Sequence, residues 1–482
     1  MTASMSPITD REIARCFIES LPVSHPLLTA PLGRSLFRLA GPTTAIMLVQ
    51  IAVALAETWF LAELGTASLA GSALVVPFIT MMHNMAAGGV GGGVASAMAR
   101  ALGAGRTDEA RLLVPQVVLL AVGIGLTFTV FGWLALPALY PLMVAGGQGG
   151  GAGGSGAALE QALVFGALWS LAGPLVWVNF FLSAMLRGGG DAVTPARISL
   201  PLSALYVPVC GALMLGAGPL PGLGIAGLPL AAILSNVVSI ALQGRAVWRG
   251  RLGFVPSAVF LPPRPQVHVE ILRTGLPASL NSVVAMATGL LATGLVGQFG
   301  TAALAGWGIA LRLEFMLAPV AFGIGSGAMT LVGIAAGAGD WRRAVRAAWL
   351  AAGAAFLLIG IVGWTVAMVP GSWARLFSAE PEVIAAAVAC LRWTGLVFCL
   401  FALGLALNFA YQGMGRMTVP VLASFVRSAV WVVGGPWALG AYGLEGVFAI
   451  AALGLAAYGS TLGGALALRP WRQSEGHQSE GC

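Results

Sequence analysis

Glu57 stands near the far end of a helix-length apolar run that begins at Leu39, in the stretch LAGPTTAIMLVQIAVALAETWFLAELGTASLAG. A carboxylate at membrane depth costs about 2.5–3.5 kcal/mol on insertion scales, so such residues are rare and point to function. Placed there, a carboxyl group can exchange a proton near neutral pH or hold a cation. The alternative is a glutamate near the interface that snorkels or pairs with an arginine of another helix. Glu314, in RLEFML, is the one carboxylate well inside an apolar run of the C-terminal half, two residues after Arg312. Residues two apart point to different helix faces, so the two need not pair with each other. Glu314 is either half of a structural ion pair with other helices or a second coupling or substrate-binding group.

Other polar side chains in apolar runs are candidates for lining a cavity: Gln50, His83 with Asn84, Asn179, Asn281 and Asn408. His83 reads equally as a histidine satisfied by helix contacts. The five cysteines, Cys16, Cys210, Cys390, Cys399 and Cys482, form no CxxC or metal-ligand spacing and read as ordinary thiols, with no metal site. Gly222, Gly224 and Gly227 spell GxGxxG, but they follow a helical pattern and lack the later acidic residue, so a dinucleotide site is not expected. HExxH, GxSxG and P-loop patterns are absent, and no catalytic constellation points to an enzyme or a cofactor.

These residues must be held by membrane-spanning helices. The chain of 482 residues is 58% hydrophobic and 9% charged, too little polar surface for a soluble globule, and it contains many apolar runs of about 20 residues. The expected fold class is an all-α polytopic membrane protein. Its net charge of +7 comes from arginines in short loops, where the orientation rule explains them better than nucleic acid does.

Residues 1–36 read as a cytoplasmic tail, with no signal-peptide core and cleavage site. Six spans are expected in 37–244, a basic linker in 245–273, six more spans in 274–468, and a second cytoplasmic tail in 469–482. The GGQGGGAGGSG run from Gly146 to Gly156 reads as a flexible outside loop. On this map of twelve spans every arginine except Arg312, Arg375 and Arg392 falls in a segment on the side of the termini. Miscounting one span would scatter them, so both termini are placed inside.

The second half repeats the first. In TGLPASLNSVVAMATGLLATGLVGQFGTAALAG, from Thr274 to Gly306, Pro277 falls on Pro42, Gly300 on Gly65 and Leu304 on Leu69, and GTAALAG matches GTASLAG at all but one position. LGAGRTDEAR at 102–111 corresponds to AGAGDWRRAVR at 336–346, and MLRGGGDAVTP at 185–195 to YQGMGRMTVP at 411–420. Six spans per half make this a parallel repeat, with its axis along the membrane normal. The copies share a backbone plan but not their chemistry, since Gln50 falls on Ala285 and Glu57 on Ala292. Pro42 and Pro277 each remove a helix hydrogen bond, so bending there is cheap. Gly88 to Gly92 and Gly89 to Gly93 have the spacing of close helix packing.

The order, spacing and duplication of these motifs resemble the multidrug and toxic compound extrusion (MATE) transporters, over about residues 36–468. The resemblance implies two six-helix lobes around a central cavity and cation-driven export by alternating access. It matches Pro42 to a helix-bending proline and Glu57 to an acidic position of the first helix. Where some relatives place an Asn and an Asp in the fifth helix, this chain has Tyr206 and Cys210, so that proton network does not carry over whole. The expected function is an H⁺- or Na⁺-coupled antiporter for organic, cationic drugs or toxic compounds, acting on small molecules as a monomer in a bacterial cytoplasmic membrane. The alternative is a flippase for a lipid-linked precursor, which would be expected to show a more cationic cavity.

Overall fold

A computed structural model describes residues 25–146, 152–219, 221–256 and 262–468. With no water in a bilayer core, a spanning backbone must satisfy its polar groups internally, and the described spans are helices. The first half contributes Leu32–Glu63, Thr66–Gly103, Thr107–Gly146, the pair Ala152–Leu171 and Gly173–Gly188, Val193–Leu215 and Gly224–Trp248. The second contributes Pro265–Gly297, Thr301–Gly337, Trp341–Met368, Pro381–Gly413 and Thr418–Ala467.

The last of these is 50 residues long. At 1.5 Å per residue it would measure about 75 Å, more than twice a hydrocarbon core of about 30 Å. Gly443 breaks it with φ 63° and ψ −149°, a conformation open to glycine, and so divides it into an eleventh and a twelfth span. The fourth span is itself two helices that meet at 48°. The second is interrupted by a π-helical turn at Met85–Gly89, and the eleventh by another at Val430–Gly434.

Three expectations change. The glycine run is helical from Ala152, which leaves residues 147–151 of it outside the described residues. The sixth span continues to Trp248 and the seventh starts at Pro265, so the linker shortens to 249–264, of which residues 257–261 lie outside the described residues. Gln116 of the third span clamps it, donating to the Pro262 carbonyl at 3.0 Å and accepting from the Arg264 amide at 2.8 Å. Arg427 does not lie in a loop. The eleventh span begins at Thr418, so Arg427 sits about 14 Å along it. The two tails, residues 1–24 and 469–482, lie outside the described residues.

Burial divides the helices into two lobes, each with its own apolar core. The leading helix of each half starts in the other half's core. Leu36, Leu39 and Ala40 pack into the C-terminal core, and Ile271 into the N-terminal one. Pro42 and Pro277 follow these segments, where each helix passes back to its own lobe.

A short helix, Pro26–Thr29, precedes the first span and ties both lobes together. Arg343, at the start of the ninth span, donates to the carbonyls of Leu27 (2.8 Å) and Ala30. His25 caps the short helix by accepting the Leu27 amide at Nδ1 (3.2 Å) and lies against Gly190 of the first half. Burial holds the His25 imidazole below its ordinary range, with a backbone contact to Gly189 opposing. A histidine kept neutral by folding takes up a proton more readily when released, so docking strengthens with rising pH. It is fully present above the free-imidazole value near 6.5 and fades as pH falls through the lowered docked-state value. Hydrogen exchange over residues 25–31, corrected for intrinsic rates, should accelerate between pH 7 and 5 in the wild type and not in His25→Asn. Equal acceleration in both would remove His25 from the account.

Candidate coupling site and the seam between the lobes

Gln50 and Glu57 are seven residues apart on the first span and share a helix face. Glu57 is half-buried and Gln50 exposed. From the fifth span the buried Tyr206 donates its hydroxyl to Glu57 Oε1 at 2.6 Å, the length of a charge-assisted bond. Cys210, one turn along, lies against that hydroxyl and contacts Met214 at 3.6 Å. Glu57 thus has a fifth-helix partner, built from a phenol.

The repeat places Ala292 and Trp431 at the positions of Glu57 and Tyr206, and both are buried in the C-terminal core. Side chains that titrate in one lobe have apolar or non-titrating counterparts in the other.

The remaining candidates separate. Asn179 lies in a closed network between the fourth and sixth spans: it donates to Asn236 (2.9 Å) and accepts from Ser239 and Gln243 (2.7 Å each), while Ser183 donates to Gln243 (2.8 Å). These bonds hold the lobe together. His83 is a contact histidine, packed with Trp169 and Phe180 at ring separations of 6.1 and 5.5 Å, whereas its neighbour Asn84 is exposed. Asn281 joins the seventh span to the tenth by donating to Asn408 (3.1 Å), and it accepts from Ser424 of the eleventh. Arg312 is exposed and stacks over Phe377 at 5.0 Å. Glu314 is half-buried, turned away from Arg312, and feels the charge of Arg427, which itself stacks over Phe401 at 5.3 Å. Among the described residues Arg312 and Glu314 form no ion pair with each other.

The lobes meet on the face that carries the short helix, here the terminal face, and the seam follows the repeat. Ser96 donates to the Gln412 carbonyl (2.5 Å), and its counterpart Thr330 donates to the Arg187 carbonyl (2.9 Å). A Cβ at Gly103 would overlap the Ile334 carbonyl, and one at Gly337 the Arg100 carbonyl. Gly188 meets Ala95 as Gly413 meets Met329. Gly89 and Gly93 pack on Ser279 and Gly275, as Gly323 and Gly327 pack on Thr44 and Ala40. The glycine spacing read as close packing is therefore packing between lobes. Two contacts have no mirror image among these bonds. Arg100 pairs with Glu270 of the seventh span at 3.1 Å, and the Gln412 amide donates to the carbonyls of Gly88 (2.8 Å) and Gly89 (3.1 Å). Sequence reasoning passed over Gln412, whose partners lie in the other half of the chain.

Two pseudo-equivalent helical lobes, sealed at one face and carrying a half-buried carboxylate bonded to a buried phenol in the N-terminal lobe, define a two-lobed membrane transporter. The MatE family profile matches residues 42–241 and 277–437, and the chain belongs to that family of transporters. It is similar to a protein of Shewanella oneidensis described as an FAD transporter, at 25% identity over 75% of this chain and 77% of that one. It is also similar to a probable multidrug resistance protein NorM of Thermotoga maritima, at 26% identity over 83% of each. Among solved structures, its fold matches an outward-facing multidrug resistance MATE transporter with TM-score 0.81, at 22% identity over 93% of this chain and 98% of that one. It also matches a Pyrococcus furiosus transporter described by a binding pocket of reverse polarity, with TM-score 0.80 and 23% identity over the same shares.

Proposed function

We propose that the protein is a cation-coupled antiporter that exports organic cations by alternating access, with Glu57 as the coupling group and Tyr206 as its partner. The observation that carries this reading is the 2.6 Å bond between Tyr206 and Glu57, with Ala292 and Trp431 in their places in the other lobe. Protonating Glu57 removes a charge from the first span, and Pro42 makes bending of that span comparatively cheap. A proton taken up from outside then reshapes the N-terminal side of the cavity and expels the bound cation. The arginine bias supports a cytoplasmic terminal face, so the sealed seam closes the cytoplasmic path.

Each proton entering down 100 mV supplies about 2.3 kcal/mol. In one-for-one exchange with a monovalent cation this cancels electrically, which leaves the ion gradient itself as the drive. Proteoliposomes under separately imposed pH and Na⁺ gradients test the reading: a pH gradient alone should drive uptake of a cationic dye. Uptake driven only by Na⁺ would keep antiport and change the ion, and uptake with neither would end the reading.

A second substrate class has one observation in its favour. Arg427 lies within the C-terminal lobe with its Nε buried and without a hydrogen-bond partner among the described residues, and a relative is described as an FAD transporter. An anionic nucleotide competing with the dye in the same vesicles would support it.

A further inference from the structure

We propose that Gln412 is the latch of the seam, a positioning residue that couples closure of the terminal face to the shape of the second span. The inference rests on the alternating-access reading above. Gln412 is the penultimate residue of the tenth span, Pro381–Gly413, and is completely buried. It grips the opposite lobe twice, its main-chain carbonyl accepting from Ser96 (2.5 Å) and its side-chain amide donating to the Gly88 and Gly89 carbonyls.

The first of these bonds belongs to the symmetric part of the seam. The second does not, because the repeat places Arg187 opposite Gln412. Its acceptors are the last two residues of the Met85–Gly89 π-turn, after which Gly89 leaves helical geometry with ψ −102°. Single π-turns inside α-helices frequently mark functional sites. A second-span glycine makes room for the grip, since a Cβ at Gly92 would overlap the Gln412 amide. Immediately before the turn stand His83 and the exposed Asn84. A change in the second span at Asn84 therefore reaches Gln412 through one turn of helix.

The latch also carries its own release. Gln412 Oε1 is buried without a hydrogen-bond partner among the described residues while the seam is closed. Parting the lobes admits water to it, so the bonds lost by the amide nitrogen are partly replaced by bonds gained at the oxygen.

Spin labels at Asp108→Cys and Arg342→Cys, on exposed first turns of the third and ninth spans, report the distance between lobes at this face. The outlying thiols are removed as Cys16→Ser and Cys482→Ser. In reconstituted full-length protein Gln412→Leu should lower the ratio of closed to open populations by about tenfold, the effect of losing two amide hydrogen bonds. Gly92→Ala, which displaces the amide, should shift the ratio the same way. Gln412→Asn, one methylene short, keeps the test available if the leucine variant does not fold. A wild-type distance distribution in a folded Gln412 variant overturns the latch. Normal gradient-driven export together with unmoved distances sinks the latch alone. Shifted distances in a protein whose wild type exports nothing under any gradient keep the latch and sink the antiport reading.

Discussion

Export driven by a pH gradient falls to background in Glu57→Gln, while the protein still inserts and still binds substrate. Glutamine keeps the shape of glutamate and an oxygen to accept the Tyr206 hydroxyl, so the 2.6 Å contact between the first and fifth spans survives. What it lacks is a proton to exchange. A coupling group is distinguished from a merely structural one by this separation of binding from drive. Substrate-induced proton release is the measurement, made in parallel on Glu314→Gln. Glu314 answers to Arg427 in the same lobe, so its neutralisation leaves a cation at membrane depth without its counter-charge and should lower stability while preserving proton release. Loss of release in Glu57→Gln alone supports coupling confined to the N-terminal lobe. Loss in Glu314→Gln alone reverses the assignment.

Gly337→Val should abolish transport by preventing the terminal face from closing. A Cβ at Gly337 overlaps the carbonyl, Cα and carbonyl carbon of Arg100, which are backbone atoms and cannot swing aside. Overpacking of this kind costs about 1–3 kcal/mol even where neighbours adjust, which moves a two-state population about tenfold or more. Gly353→Ala is the control, since nothing lies near its Cβ and alanine favours a helix interior. Distances between the labelled third and ninth spans should lengthen in the first variant and stay unchanged in the second. A closed, active Gly337→Val would mean that the seam is looser than its glycines require.

The lobes, the repeat and Glu57 were legible because hydropathy and arginine placement act through composition over long stretches, and a carboxylate in such a stretch stands out by type. Partnerships were not legible. Tyr206 could be seen only as a departure from a resembling family's pattern, since a phenol's reach to a carboxylate depends on how two helices cross. Asn179 looks like a lining group by residue type, but three polar side chains of the sixth span, Asn236, Ser239 and Gln243, take up its hydrogen bonds. The arginine count places Arg427 on the side of the termini, whereas it lies inside the helix that starts at Thr418. Gly443 shows the opposite case, a span boundary set by one backbone conformation inside an unbroken apolar pattern.

The mirrored seam also restricts how such a chain can change over generations. Gly103 answers to Ile334 and Gly337 to Arg100, so each half supplies the surface against which the other is shaped. A bulkier residue in one copy meets main chain of the other, which no substitution in the twin removes. The two halves are therefore free to diverge around Glu57 and Ala292, where each lobe faces its own interior, and held to glycine where they touch. Among descendants of one duplicated ancestor, positions 103 and 337 should accordingly stay glycine in both copies, whatever side chains stand at 334 and 100.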